Sequence, residues 1–172
     1  MDSIVKNLIY EREILSIGET IINISLICVN YDFENYYLET TNRRYSLKIN
    51  KKSVDQCSVI NRMYDDIKFN PLTSREIYYS DPEILLMEYF QAESPDMRFL
   101  NQHIFGESIA KFHTKRESYY GYGYDTYIGS LLQENKMSQS WKKFYLNQRF
   151  DCLLSKMKGT LSINSELNDK VL

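Results

Sequence analysis

Few side chains in this sequence are suited to chemistry, and their types narrow what that chemistry is. The histidines, His103 and His113, and the cysteines, Cys28, Cys57 and Cys152, stand far apart with no CxxC pair. The spacing supports no zinc site, dithiol redox centre or Ser-His-Asp arrangement, so no metal ligand is assigned. His113 closes an apolar helical run, where an imidazole serves the helix C-terminus. Two better candidates remain. Lys48 alternates with Leu47 and Ile49 in YSLKIN, so it leaves its strand on the opposite face from both. That face is either plain solvent or a place where an anion sits. Asp125 lies in GYGYDTYIG, whose tyrosine rings and carboxylate either hold a sugar-like molecule or pack as aromatic filler.

The elements that must position these residues come from an ordinary globular composition. The 172 residues are 43% hydrophobic and 26% charged, enough for one packed domain or a little more. A formal charge of -2 argues against a nucleic-acid binder or a polybasic membrane anchor. With 14% aromatic residues, 6 Gly and 3 Pro, the chain is neither low-complexity nor repetitive. MDSIVKNLIYEREIL places charges inside its apolar run and so lacks a signal-peptide core. NISLICV is far shorter than the roughly 20 apolar residues a spanning helix needs. A soluble, cytoplasmic protein with reduced cysteines is expected.

Ile4, Val5, Leu8 and Ile9, with Ile14 and Leu15, recur near helical spacing and predict an amphipathic helix ending near Gly18. Strands follow at 24–29, 36–41 and 45–49, the last two joined by a turn at Thr41 to Arg44. Ser53 and Gln56 form a capping-box pattern before a helix that presents Val59, Ile60 and Met63. REIYYS and EILLMEYF are two more strands around the Asp81-Pro82 turn. Ser94-Pro95-Asp96 starts a helix carrying Leu100, Ile104, Phe105, Ile109 and Phe112. After the tyrosine-rich stretch, a long helix from about Ser138 to Gly159 packs Trp141 as core with Phe144, Tyr145, Cys152, Leu153 and Met157.

The order helix, three strands, helix, two strands, helices resembles a kinase-like small lobe entering a helical large lobe. YSLKIN, EILLMEYF and ESIAKFH resemble the phosphate-lysine strand, the hinge strand and the first large-lobe helix of the aminoglycoside phosphotransferase-like superfamily. Within it, GYGYDTYIGSLLQENKMSQSWKKFYLNQRF is similar to the fructosamine (ketosamine) kinase pattern GFGxDxxIGxxxQxNxxxxxWxxFYxxxR. The matching residues are Gly121, Gly123, Asp125, Ile128, Gly129, Gln133, Asn135, Trp141, Phe144, Tyr145 and Arg149, and the likeness runs from about Ser25 to Met157.

This resemblance implies an α+β fold: a five-stranded antiparallel sheet plus helix over residues 1–91, then a hinge exit and an incomplete helical lobe over 92–172. It implies ATP with Mg²⁺, and phosphoryl transfer to a small acceptor bearing a hydroxyl. Lys48 would meet the phosphates, and Gln56, or Asp55 beside it, stands where the family's lysine partner is a Glu. Glu88, Tyr89 and Phe90 would border adenine, while Tyr124 and Asp125 would face the acceptor. The expected phosphate-cradling glycines are replaced in CVNYDFENYY, and nothing after Met157 matches the family's HGDLWxxN segment or the metal-binding Asp beyond it. No catalytic residue is therefore assigned. The sequence is expected to stop before the catalytic centre, which a separate C-terminal lobe could supply.

Overall fold

A computed structural model describes residues 2–30, 32–52, 54–68, 75–91, 98–114 and 116–158. The chain divides into two compact units, residues 1–115 and 116–172, and each is described by itself. The expected boundary at 91/92 adjoins residues 92–97, which lie outside the described residues.

In the first unit, helix α1 (Asp2–Glu11) precedes strands β1 (Ile21–Asn30), β2 (Phe33–Thr40) and β3 (Arg44–Asn50). Helix α2 (Gln56–Ile67), strands β4 (Ile77–Ser80) and β5 (Ile84–Glu88) and helix α3 (Arg98–Thr114) complete it. The five strands form one antiparallel sheet in the order β1-β2-β3-β5-β4. This is the expected α+β architecture.

Alternation along the strands decides what each face holds. Tyr36, Leu38, Tyr45, Leu47, Ile84 and Leu86 point to one face and are covered by Val5, Ile9 and Ile14 from α1 and the turn after it. Leu85 and Met87 point to the other, where Cys57, Ile60 and Tyr64 of α2 meet them. Each large side chain so buried contributes roughly 1.5–3 kcal/mol. The sheet thus carries a helix on both faces, whereas the sequence reading gave it one. β5 is apolar at successive positions because both of its faces are covered.

Two local expectations need correction. The α2 seam is Cys57, Ile60 and Tyr64, not Val59, Ile60 and Met63. The capping box is not realised either: Gln56 is the first helical residue, and Asp55 at the N-cap makes no side-chain capping bond. Ser53 lies outside the described residues.

A long-range clamp fixes α1. Arg12 bonds Asp81 at 2.6 Å and also pairs with Glu83 across the β4–β5 turn. Asp81 in turn accepts the amides of Glu83 and Ile84 at 2.8 and 2.7 Å, which shapes that turn.

The second unit contains a short hairpin, β6 (Thr126–Ile128) and β7 (Leu131–Gln133), closed at Gly129 with φ +55°. A helix follows in three parts: α4 (Trp141–Tyr145), a π-helical turn (Leu146–Phe150) and α5 (Asp151–Lys158). Ser140 caps α4 by accepting from the Lys143 amide. Phe144, at 4% exposure, is the packed aromatic, whereas Trp141 is 55% exposed and not core as expected. Trp141 has the larger ring, but the helix turns Phe144 inward beneath Gly121.

Candidate functional site

Lys48 sits mid-strand on β3, opposite Asn35 of β2 and Leu85 of β5. Its side chain therefore shares the α2-covered face, as the alternation with Leu47 and Ile49 predicts. It is half-buried, and its ammonium lies 5.3 Å from the centre of the Phe33 ring. Burial holds its pKa below the ordinary 10.5, and the nearby charge of Arg75 lowers it further, while Cys57 and Cys28 act in the opposite sense. The buried thiol of Cys57 is itself pushed up to about 12 by burial, so it is neutral at physiological pH.

No carboxylate of the described residues pairs with Lys48. Gln56 begins α2 with its side chain 1% exposed. Asp55, the alternative partner, lies at the N-cap position. Lys48 thus lies half-buried on the α2 face with no carboxylate partner among the described residues.

Glu88, Tyr89 and Phe90 leave the sheet at the end of β5. The Glu88 amide is engaged, donating to the Glu76 carbonyl at 2.9 Å. Tyr89 packs edge-on against Tyr37 at 4.8 Å, and Phe90 is exposed. Arg75 was read from sequence only as the start of a strand. Its guanidinium lies over Phe90 at 5.2 Å and reaches the Met87 sulfur at 3.6 Å.

The β1–β2 connection, where phosphate-cradling glycines were sought, is built on acids. The Asp32 carbonyl accepts the Lys51 amide at 2.8 Å, and the Asp32 carboxylate pairs with Lys52 at 2.6 Å. Glu34 pairs with Lys51 and accepts from Tyr36 at 2.8 Å. The Lys51 bond holds the Glu34 carboxyl below its usual range despite burial. The hairpin is thereby pinned to the end of β3 by side chains.

In the second unit, Tyr124 and Asp125 belong to a hydrogen-bonded hub around Asn135. Asp125 Oδ1 accepts the Asn135 amide at 3.0 Å. The Asn135 side chain donates to Thr126 Oγ1 at 2.8 Å and to the Tyr124 carbonyl at 3.0 Å. Arg149 donates to Asn135 Oδ1 and to the Glu134 carbonyl, and lies over the Phe144 ring at 4.6 Å. The π-helical turn carries Gln148 and Arg149 consecutively, and Gln148 bonds the Lys136 carbonyl. The spacing of Asp125, Asn135, Phe144 and Arg149 is therefore first a folding device. Asp125 itself stays exposed.

A sequence model described as fructosamine kinase matches residues 11–169. The chain belongs to the fructosamine kinase family. A probable ketoamine kinase of Enterococcus faecium is 26% identical over 144 residues, covering 81% of this chain and 50% of that protein. Two crystal structures of candidate fructosamine-3-kinases share the fold. The one from Haemophilus somnus 129PT aligns with TM-score 0.65 and 22% identity over 90% of this chain and 54% of its own. The one from Thermobifida fusca YX-ER1 aligns with TM-score 0.65 and 19% identity over 85% and 53%. The chain spans about half the length of these relatives.

Among the described residues, no three His, Cys, Asp or Glu side chains gather closely enough to hold a metal ion. No helix among them is long and apolar enough to cross a membrane.

Proposed function

We propose that this chain supplies the nucleotide-binding part of a fructosamine-kinase-type phosphotransferase. Such an enzyme uses ATP to phosphorylate a hydroxyl of a small sugar- or amine-bearing acceptor. The observation that carries the reading is Lys48: a half-buried cation on the α2 face, unpaired by any described carboxylate. Phosphoryl transfer depends on positioning and charge neutralisation, which is what such a lysine offers a phosphate chain. The backbone at Tyr89 and Phe90 borders the adenine, with Glu88 already committed to the sheet. Tyr124 and Asp125 face the acceptor in this reading, with Asn135 holding the Asp125 carboxylate in place. In this reading Mg²⁺ accompanies the phosphates of the nucleotide.

In this reading the chain alone binds nucleotide without turnover. Calorimetric titration with Mg²⁺-ATP tests this: binding should weaken on the order of tenfold in Lys48→Met, as expected for a charge-assisted contact. Transfer of labelled γ-phosphate to a ketoamine should be undetectable. Lys48-dependent transfer by residues 1–172 alone would overturn the assignment of turnover to a further lobe.

A second reading is a noncatalytic kinase-like module that works with a separate C-terminal partner. The exposed Ile104, Phe105 and Ile109 on α3 favour it, since they offer apolar surface to another chain. A neighbouring reading frame encoding an HGDLWxxN-like segment, whose product co-purifies with this chain, would distinguish the two.

A further inference from the structure

Elsewhere on the sheet and its turns, several charges are matched. Asp32 has Lys52, Glu34 has Lys51, and Arg12 has Asp81 and Glu83. Lys48 and Arg75 are different, because neither pairs with any carboxylate of the described residues. They are also neighbours in the fold. Lys48 lies opposite Leu85 on β5, and Arg75 reaches the sulfur of Met87, two residues along the same strand and on the same face. Arg75 is close enough that its charge opposes protonation of Lys48.

Two like charges beside each other, one of them half desolvated, raise the energy of the free chain. Asp65 lines the same cavity as Arg75, but it pairs with Lys68 at 3.2 Å. The aromatic faces of Phe33 and Phe90 offset only part of the cost. An anion that both cations can reach removes the repulsion and provides the missing partner. Arg75, with its planar fork of donors, suits phosphoryl oxygens better than a second lysine would.

We propose that Arg75 is a second phosphate-binding residue, which together with Lys48 holds the phosphate chain of the nucleotide on the α2 face of the sheet. This rests on the reading of Lys48 as a phosphate ligand and adds to it a residue for which neither the motifs nor the kinase-like resemblance assigned a role. Lys48 supplies a point charge from β3, and Arg75 supplies N–H donors from two residues before β4.

The test compares wild type, Arg75→Gln, Arg75→Lys and Lys48→Met, each titrated with Mg²⁺-ATP, tripolyphosphate and adenosine. Urea unfolding is measured on all four. Arg75→Gln should lose on the order of tenfold in affinity for ATP and tripolyphosphate. Its loss on adenosine should be smaller than its loss on tripolyphosphate, and its urea midpoint should stay unchanged or rise. Arg75→Lys should recover part of the loss. If Arg75→Gln binds ATP and tripolyphosphate as wild type does while Lys48→Met is weakened, the role of Arg75 is overturned and the nucleotide reading stands. If wild type binds neither ATP nor tripolyphosphate at millimolar concentration, both are overturned.

Discussion

Asp81 shows how much one side chain can hold in this fold. It accepts from Arg12, from Tyr79 at 2.9 Å and from the amides of Glu83 and Ile84. Burial pushes its carboxyl up, but these donors together outweigh burial and hold it below the usual value. Asp81→Ala should cost about 2–3 kcal/mol in urea unfolding, and Asp81→Asn less, since the amide oxygen still receives the turn amides. The pH dependence follows from the sign of the shift. A depressed folded pKa gives stability that is complete above the unfolded carboxylate value and lost as pH falls through the folded one. The gap between wild type and Asp81→Asn should therefore close below about pH 4. Gly121 is the counterpart in the second unit. Its φ is +107°, and an added Cβ would stand 2.8 Å from Phe144 Cε2. Gly121→Ala should cost about 2–4 kcal/mol through backbone strain and overlap, read by thermal melting.

At the scale of elements, what could be read from sequence was what depends on short period. The five strands of the first unit and the β2–β3 and β4–β5 hairpins follow from alternation and turn residues, and the face of Lys48 follows from Leu47 and Ile49, whereas the three-residue strands of the β6–β7 hairpin are too short to show a period. The α2 seam was misread because Gln56 and Cys57 do not count as strongly apolar, yet both are buried. Cys57→Ser should then destabilise by about 1–3 kcal/mol through a buried hydroxyl, while Val59→Ser changes the urea midpoint little. An equal loss at Val59 would return the seam to Val59, Ile60 and Met63. Contacts far apart in sequence left no local trace. Arg12 meets Asp81 across 69 positions, and α1 covers the second sheet face through residues whose partners lie on other strands. Arg75 belongs with these. Only the pairing of β4 with β5 brings it to Met87. The fructosamine kinase pattern was legible as spacing, but its first use, the Asn135 hub, needed the fold to be seen.

Over the whole molecule, the free chain carries surface and charge that its own described residues do not fully satisfy. Ile104, Phe105 and Ile109 of α3 are exposed, and concentration-dependent light scattering should show self-association that Phe105→Ser with Ile109→Ser reduces. The charge imbalance makes a sharper prediction, because stability and ligand binding should move in opposite directions. Burial, reinforced by Arg75, lowers the folded pKa of Lys48 beneath its unfolded value of 10.5. Between those values the unfolded chain binds more protons, so stability rises as pH climbs through the folded pKa. Below it, the penalty of an unpaired, half-buried ammonium is present in full. Lys48→Met removes that penalty, so its urea midpoint at pH 7 should exceed that of wild type, and the difference should shrink toward pH 10.5. Mg²⁺-ATP should reverse the order, since it stabilises the wild type by supplying the anion and stabilises the variant far less. A Lys48→Met chain less stable than wild type at pH 7 without nucleotide would mean that the ammonium already has a partner in the fold. The energetic case for an anion between Lys48 and Arg75 would then fall.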